Sequence, residues 1–189
     1  MKIYFFGGSF DPPHKAHKLI YKYCIDLCDK FLFIPAYHSP GKDNPIATKE
    51  NRFKMLELLI DKEDYSKVSI DQFEFKSINK PNFTIDTIKY LEEKFMGASL
   101  YMVIGSDQYG NLINWKNYNE VINRVNIVCF NRKLNTISES FNTNIIDFDY
   151  DISSTVIKNK FQHNNIKDLE KELTKDVYDY IIKHKLYRN

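Results

Sequence analysis

Two histidines three residues apart, His14 and His17, follow a glycine pair in the segment Gly7-Gly8-Ser9-Phe10-Asp11-Pro12-Pro13-His14-Lys15-Ala16-His17. At a helix start that spacing places both imidazoles on one face. The same helix end presents unsatisfied N–H groups and a dipole that favours anions. Glycines just upstream let the backbone approach a ligand closely. The chemistry these parts can perform is the holding and neutralising of phosphate. The dinucleotide fingerprint Gly-x-Gly-x-x-Gly and the P-loop Gly-x-x-x-x-Gly-Lys-Ser/Thr are both absent, so a phosphate site here is of another kind. Zinc would need a third ligand, and Cys24 and Cys28 lie further along the helix without ligand spacing, so no protein-held metal is expected.

Elements must position these residues. Positions 2 to 6, Lys-Ile-Tyr-Phe-Phe, read as a short buried strand stopped by Gly7-Gly8. Pro12-Pro13 can open a helix whose apolar set is Ala16, Leu19, Ile20, Tyr23, Cys24, Leu27 and Cys28. Phe31 to Pro35 predicts a second strand and Ala36 to Ala47 a loop. Met55, Leu56, Leu59 and Ile60 mark a helix, Val68 to Asp71 a strand, and Ile85, Ile88, Leu91 and Phe95 a helix with Thr84 near its start. Ser99 to Ile104 is a strand ending at Gly105, followed by helical segments at Gln108 to Ile113 and Asn117 to Asn123 and a strand from Val125 to Phe130. Ile145 to Phe148 is a last strand, Asp151 or Ser153 caps the next helix, and Leu169, Leu173, Val177, Tyr180 and Ile181 give one closing amphipathic helix. The fold class is α/β: a Rossmann-like, doubly wound, mostly parallel sheet with helices on both faces, whose ligands bind beyond the carboxyl ends of the strands.

Composition excludes other classes. The 189 residues fit one domain with a substantial core, and 43% apolar and 28% charged residues are ordinary for a globular protein. The net charge of +2 and the lack of any basic cluster remove the footprint of a nucleic-acid binder. Three cysteines without a Cys-x-x-Cys pair read as buried thiols in a reducing compartment. No secretory signal or membrane-spanning run is evident, so a cytoplasmic location is expected, with no membrane partner. Only six glycines occur, yet Gly7, Gly8, Gly41 and Gly105 fall at predicted strand ends or in the long loop.

The segment Gly7 to His17 closely resembles the G-G-x-F-[DN]-P-x-H-x-G-H signature of the nucleotidyltransferase superfamily related to class I aminoacyl-tRNA synthetases, with Ala16 where Gly is common. Ile152-Ser153-Ser154-Thr155-Val156-Ile157-Lys158 resembles that superfamily's I-S-S-T-x-[IV]-R motif, with Lys158 in place of Arg. Phe83-Thr84-Ile85-Asp86-Thr87, Gly105-Ser106-Asp107 with Trp115, and the ending Tyr180 to Tyr187 are similar to segments of bacterial nicotinate-mononucleotide adenylyltransferases. His38-Ser39-Pro40-Gly41-Lys42 only loosely resembles that family's P-P-H-K loop, and Lys42 is its best match.

The resemblance implies transfer of AMP from ATP to nicotinic acid mononucleotide in NAD biosynthesis, with nicotinamide mononucleotide left open as a second acceptor. It implies one nucleotidyltransferase domain over residues 1–189, with residues from about 152 onward completing the phosphate site. His14, His17, Lys42 and Lys158 would act on the triphosphate. Gly7, Gly8, Ser9, Phe10, Gly105, Asp107, Ser153 and Ser154 would bind the nucleotide. Thr84, Trp115 and Lys116 would meet the pyridine mononucleotide. Mg²⁺ would be carried on the ATP phosphates. Phosphopantetheine adenylyltransferases and cytidylyltransferases share the first motif, and a catalytically silent nucleotide-binding module stays open as a reading of another class. Homo-oligomer assembly is left open as well.

Overall fold

Residues 1–41, 43–77, 82–131, 143–150 and 152–188 are described in a computed structural model. The first strand, β1 (Lys2–Gly8), shows why its sequence is an uninterrupted apolar run. Side chains alternate across a strand, so Tyr4 and Phe6 enter one core while Ile3 and Phe5 enter another on the opposite face. A strand buried on both faces reads as continuous rather than alternating. In β2 (Lys30–Pro35), Phe31 and Phe33 go one way and Leu32 and Ile34 the other. With β3 (Val68–Ile70), β4 (Ser99–Gly105), β5 (Asn126–Asn131) and β6 (Thr143–Asp147), the sheet runs β3-β2-β1-β4-β5-β6. Every pairing is parallel. This is the doubly wound Rossmann order, in agreement with the expected fold class.

The helices are α1 (Lys15–Cys24), α2 (Lys49–Leu59), α3 (Phe73–Lys76), α4 (Thr84–Lys94), α5 (Ser106–Tyr109), α6 (Tyr118–Arg124), α7 (Ser154–Gln162), α8 (Leu169–Glu172) and α9 (Lys175–Lys183). Ile20 of α1, Met55 of α2, Ile157 of α7 and Val177 of α9 fill the core on one face. Ile88 of α4 and Val121 of α6 fill the other. Among the described residues, no helix is long and apolar enough to cross a membrane.

Three local expectations are corrected. The first helix starts at Lys15 rather than at the prolines. A residue before proline is driven out of the α region, so Pro12, preceding Pro13, is excluded from the helix, and His14 keeps an extended backbone (φ −142°, ψ 174°) as its N-cap. Second, Leu19, Tyr23 and Leu27 are exposed, and the core takes Ala16, His17, Ile20, Tyr21 and Cys24 instead. The buried stripe is thus shifted towards His17 and Tyr21, which accept the His14 and Asp61 N–H groups, each at 3.1 Å. Third, the closing helix is two: Leu173 and Thr174 are extended and separate α8 from α9. Leu169, Leu173, Val177 and Ile181 are all buried nonetheless, which is why their spacing reads as one helix.

The ladder between β1 and β4 ends at Phe6–Val103. Beyond it Gly7 and Gly8 still pair outward with Ile34 and Pro35, and Ile104 and Gly105 with Cys129 and Phe130. The two central strands therefore part where the winding direction reverses, and that crevice is where ligands of such sheets bind.

Candidate functional site

Ser9 and Phe10 carry the chain from β1 over the crevice. Phe10 adopts a left-handed backbone (φ +48°), uncommon for a non-glycine residue and a bulky one especially. Its ring is buried, edge-on to Phe6, Phe33 and His17 at centroid distances of 5.6, 5.4 and 5.0 Å. A Cβ on Gly8 would come within 3.2 Å of that ring, so glycine makes room for it. Phe10 thus offers a ligand its backbone only. Gly7, by contrast, has open space around it.

His14 and His17 are brought together as expected, with ring centroids 3.8 Å apart and planes 26° from parallel. The His14 carbonyl accepts the His17 and Lys18 N–H groups at 2.9 and 3.3 Å, starting α1. The His14 N–H donates to Nδ1 of His17 at 3.1 Å. An acceptor Nδ1 places the proton of the neutral ring on Nε2, so His17 is set up as a donor through Nε2.

Beneath this turn lies a buried carboxylate to which the sequence reading gave no role. Asp11 is 2% exposed, and its two oxygens accept the Ile46 and Ala47 N–H groups (2.9 and 3.1 Å), the Tyr187 hydroxyl (2.7 Å) and the Lys158 ammonium (3.2 Å). Lys158 therefore reaches the signature segment, tied to it through Asp11. Ser153 caps α7 by accepting the Val156 N–H at 3.3 Å. Ser154 donates its hydroxyl proton to the Pro12 carbonyl at 2.9 Å, fastening the start of α7 to the same turn.

Arg52 is a second residue that sequence reasoning missed. It is 2% exposed and its Nη1 donates to the carbonyls of Ser9 and Ala36, both at 2.7 Å, clasping the turns after β1 and β2. The signal was present: Arg52 lies three and four residues before Met55 and Leu56, on the helix face those residues bury, and a buried guanidinium demands polar partners. Glu74 of α3 is buried and accepts the Thr87 hydroxyl at 2.9 Å. Burial pushes its carboxyl up to about 7, against the opposing pull of the Thr87 hydrogen bond and the Arg52 charge.

On the second half of the sheet, Thr84 opens α4 and is half-buried. Trp115 is half-buried and packs, with Phe83, against the core under β4. The exposed Lys116 places its ammonium 4.1 Å from the Phe83 ring centroid, so the Thr84 and Trp115 segments adjoin. Gly105 ends β4, and Asp107 is exposed in the first turn of α5. Ser9 and Ser39 share a hydroxyl contact at 3.1 Å, joining the loop after β2 to the signature turn. Lys42 and Asp151 lie outside the described residues.

The three cysteines are free and buried. Burial raises the Cys28 and Cys129 thiols to about 11 and Cys24 further, so none supplies a thiolate at neutral pH. Among the described residues, no three His, Cys, Asp or Glu side chains gather as metal ligands. Asp11, with both oxygens committed to four donors, does not fit a metal ion.

A parallel sheet in this order, with a phosphate-type helix start at its switch point, defines a Rossmann-like nucleotide-binding protein. The family model described as cytidylyltransferase-like matches residues 5–160, and the chain belongs to that family. It is 37% identical over 203 residues to a Clostridium perfringens protein named "Probable nicotinate-nucleotide adenylyltransferase", covering 99% of this chain and 98% of that one. It is 32% identical to a Chlorobium phaeobacteroides protein of the same name, with both chains covered completely (100% each). Among solved structures, the nicotinic acid mononucleotide adenylyltransferase of Plasmodium falciparum complexed with NaAD has the same fold, with a TM-score of 0.86 at 23% identity over 98% of this chain and 97% of that one.

Proposed function

We propose that this protein transfers AMP from ATP to nicotinic acid mononucleotide, releasing pyrophosphate and forming the dinucleotide used in NAD biosynthesis. The observation that carries the reading is the stacked His14–His17 pair at the start of α1, set at the switch crevice and locked to α7 through Asp11 and Ser154. Full-length similarity to proteins named for this activity supports the choice of acceptor.

The acceptor's phosphate oxygen is already a nucleophile, so its attack on the α-phosphorus of ATP needs no activating base and no covalent intermediate. Catalysis then consists of alignment and neutralisation of charge growing on the α-phosphate and the departing pyrophosphate. His17, donating through Nε2, meets the transferring phosphate, and His14 stands beside it. Lys158 meets the β- and γ-phosphates from the start of α7, where free N–H groups add to its charge, and Lys42 is assigned to them from the loop. Gly7, Gly8, Ser9 and Phe10 contact the nucleotides through backbone, Gly105 and Asp107 take the sugar hydroxyls, and Ser153 and Ser154 shape the phosphate end. Thr84 recognises the ring carboxylate, with Lys116 close by, and Trp115 stacks on the pyridinium. ATP enters as its complex with a divalent cation, Mg²⁺, borne on the phosphates as part of the substrate.

The test is pyrophosphate release from Mg²⁺–ATP with nicotinic acid mononucleotide, nicotinamide mononucleotide and phosphopantetheine supplied separately. The first should give the highest kcat/KM. Turnover confined to phosphopantetheine would overturn the acceptor, and no turnover with any of the three would favour the silent nucleotide-binding module.

A further inference from the structure

The signature turn and a residue 176 positions away meet at one carboxylate, since the Tyr187 hydroxyl donates to Asp11 Oδ1 at 2.7 Å. Oδ1 also accepts the Ala47 N–H, while Oδ2 takes the Ile46 N–H and the Lys158 ammonium. Asp11 is therefore clamped from one side by Tyr187 and holds Lys158 on the other. The Tyr187 ring is 4% exposed and packs toward Phe161 of α7, with centroids 6.1 Å apart. Its backbone is left-handed (φ +61°), a conformation that a bulky side chain keeps only where the surroundings determine it. Burial and the Asp11 charge both raise the phenol's pKa far above its usual range, so the hydroxyl remains a donor.

An ammonium on a four-carbon stem is a mobile point charge, without the fixed fork by which arginine defines its own geometry on a phosphate. Lys158 thus needs an external anchor. Asp11 is that anchor, and its orientation depends on what Oδ1 is bound to. We propose that Tyr187 is a positioning residue for ATP, acting through Asp11 to fix the Lys158 ammonium where it meets the triphosphate. The proposal rests on the reading of this site as one that binds ATP.

The experiment compares wild type, Tyr187→Phe, Lys158→Ala and the double variant by steady-state pyrophosphate release and by calorimetric ATP binding in Mg²⁺. Tyr180→Phe serves as control, since Tyr180 on α9 makes a hydrogen bond of similar length, 2.8 Å to Asn51 Oδ1, without touching Asp11. Tyr187→Phe should raise KM and Kd for ATP about tenfold, the order of one charge-assisted hydrogen bond, and leave KM for nicotinic acid mononucleotide unchanged. It should add nothing in the Lys158→Ala background, and Lys158→Arg should restore much of the loss because arginine brings its own geometry. Tyr180→Phe should change neither KM.

Equal losses with and without Lys158, losses shared by both substrates, or the same loss from Tyr180→Phe would each reduce Tyr187 to a packing residue and overturn the proposal. If Tyr187→Phe does not fold, Tyr187→Met, which fills the site without a hydroxyl, replaces it, and the same lack of additivity with Lys158→Ala is required. A wild-type protein that binds ATP but releases no pyrophosphate removes the proposed reaction while leaving the ATP binding comparison to decide on Tyr187. A wild type that binds no ATP removes both.

Discussion

His17 is the residue on which the proposed chemistry depends most directly. With Nδ1 occupied by the His14 N–H, the neutral ring carries its proton on Nε2, the donor that the proposed mechanism uses. Replacing it by alanine should lower kcat by roughly two to three powers of ten, the usual effect of removing one transition-state donor. The ring also packs against Phe10, so thermal unfolding must be measured alongside; turnover near wild type in a folded variant would remove His17 from the mechanism. Glu74 allows a prediction about pH. Its carboxyl is raised from 4.5 to about 7 by burial, so between those values the folded chain holds a proton that the unfolded chain has lost. Stability should therefore fall as pH rises through that window and level off above it. Glu74→Gln should remove that slope, worth on the order of 3 kcal/mol, in denaturation series run at about pH 5 and about pH 8; an unchanged slope would mean that Glu74 does not titrate in this range. At this scale the histidines and glycines could be read in advance because they are contiguous in sequence. Asp11 and Glu74 escaped because their partners are N–H groups, hydroxyls and an ammonium from distant segments, which no local pattern reveals; for Arg52 the helical spacing signals burial but not which carbonyls it binds.

Helix and strand types followed from periodicity, because burial on two sheet faces leaves strands as short apolar runs and helices as longer ones. The boundaries that failed did so where a special backbone intervened: Pro12 before Pro13, and the extended Leu173–Thr174 link whose leucine still faces the core. The two-residue shift at α1 matters for function, since it turns His14 from a helical residue into the N-cap, and only there can its N–H reach His17 Nδ1. At the start of α7 the cap is Ser153, one of the two residues the sequence offers, accepting the Val156 N–H. Ser153→Ala should cost about 1 kcal/mol of stability, the typical loss of an N-cap. Because the same helix carries Lys158 one turn further on, the KM for ATP should rise while that for the mononucleotide stays constant. Urea denaturation together with the two KM values checks this, and a change in the mononucleotide KM alone would place the α7 start at the wrong substrate.

Across the whole molecule, the sheet order creates the crevice, and the last quarter of the chain brings Ser154, Lys158 and Tyr187 against the turn beside it. Val177 and Ile181 of α9 and Tyr187 beyond it are buried in the same core as Phe6 of β1 and Phe33 of β2, and Lys15 of α1 reaches the Glu170 carbonyl of α8 at 2.7 Å. We expect residues 1–189 to behave as one cooperative unit rather than as a sheet domain with a helical appendage. Burying three such side chains contributes roughly 1.5–3 kcal/mol each, which together approaches the 5–15 kcal/mol that holds an ordinary domain folded. A chain ending at residue 173 would lose these and the Tyr187 donor to Asp11 at once. It should show no cooperative urea transition at 25 °C and no ATP binding. A truncated chain that unfolds cooperatively near the full-length midpoint would show instead that the sheet and its first helices are self-sufficient, and that α9 was added to a finished fold to serve Asp11 and Lys158.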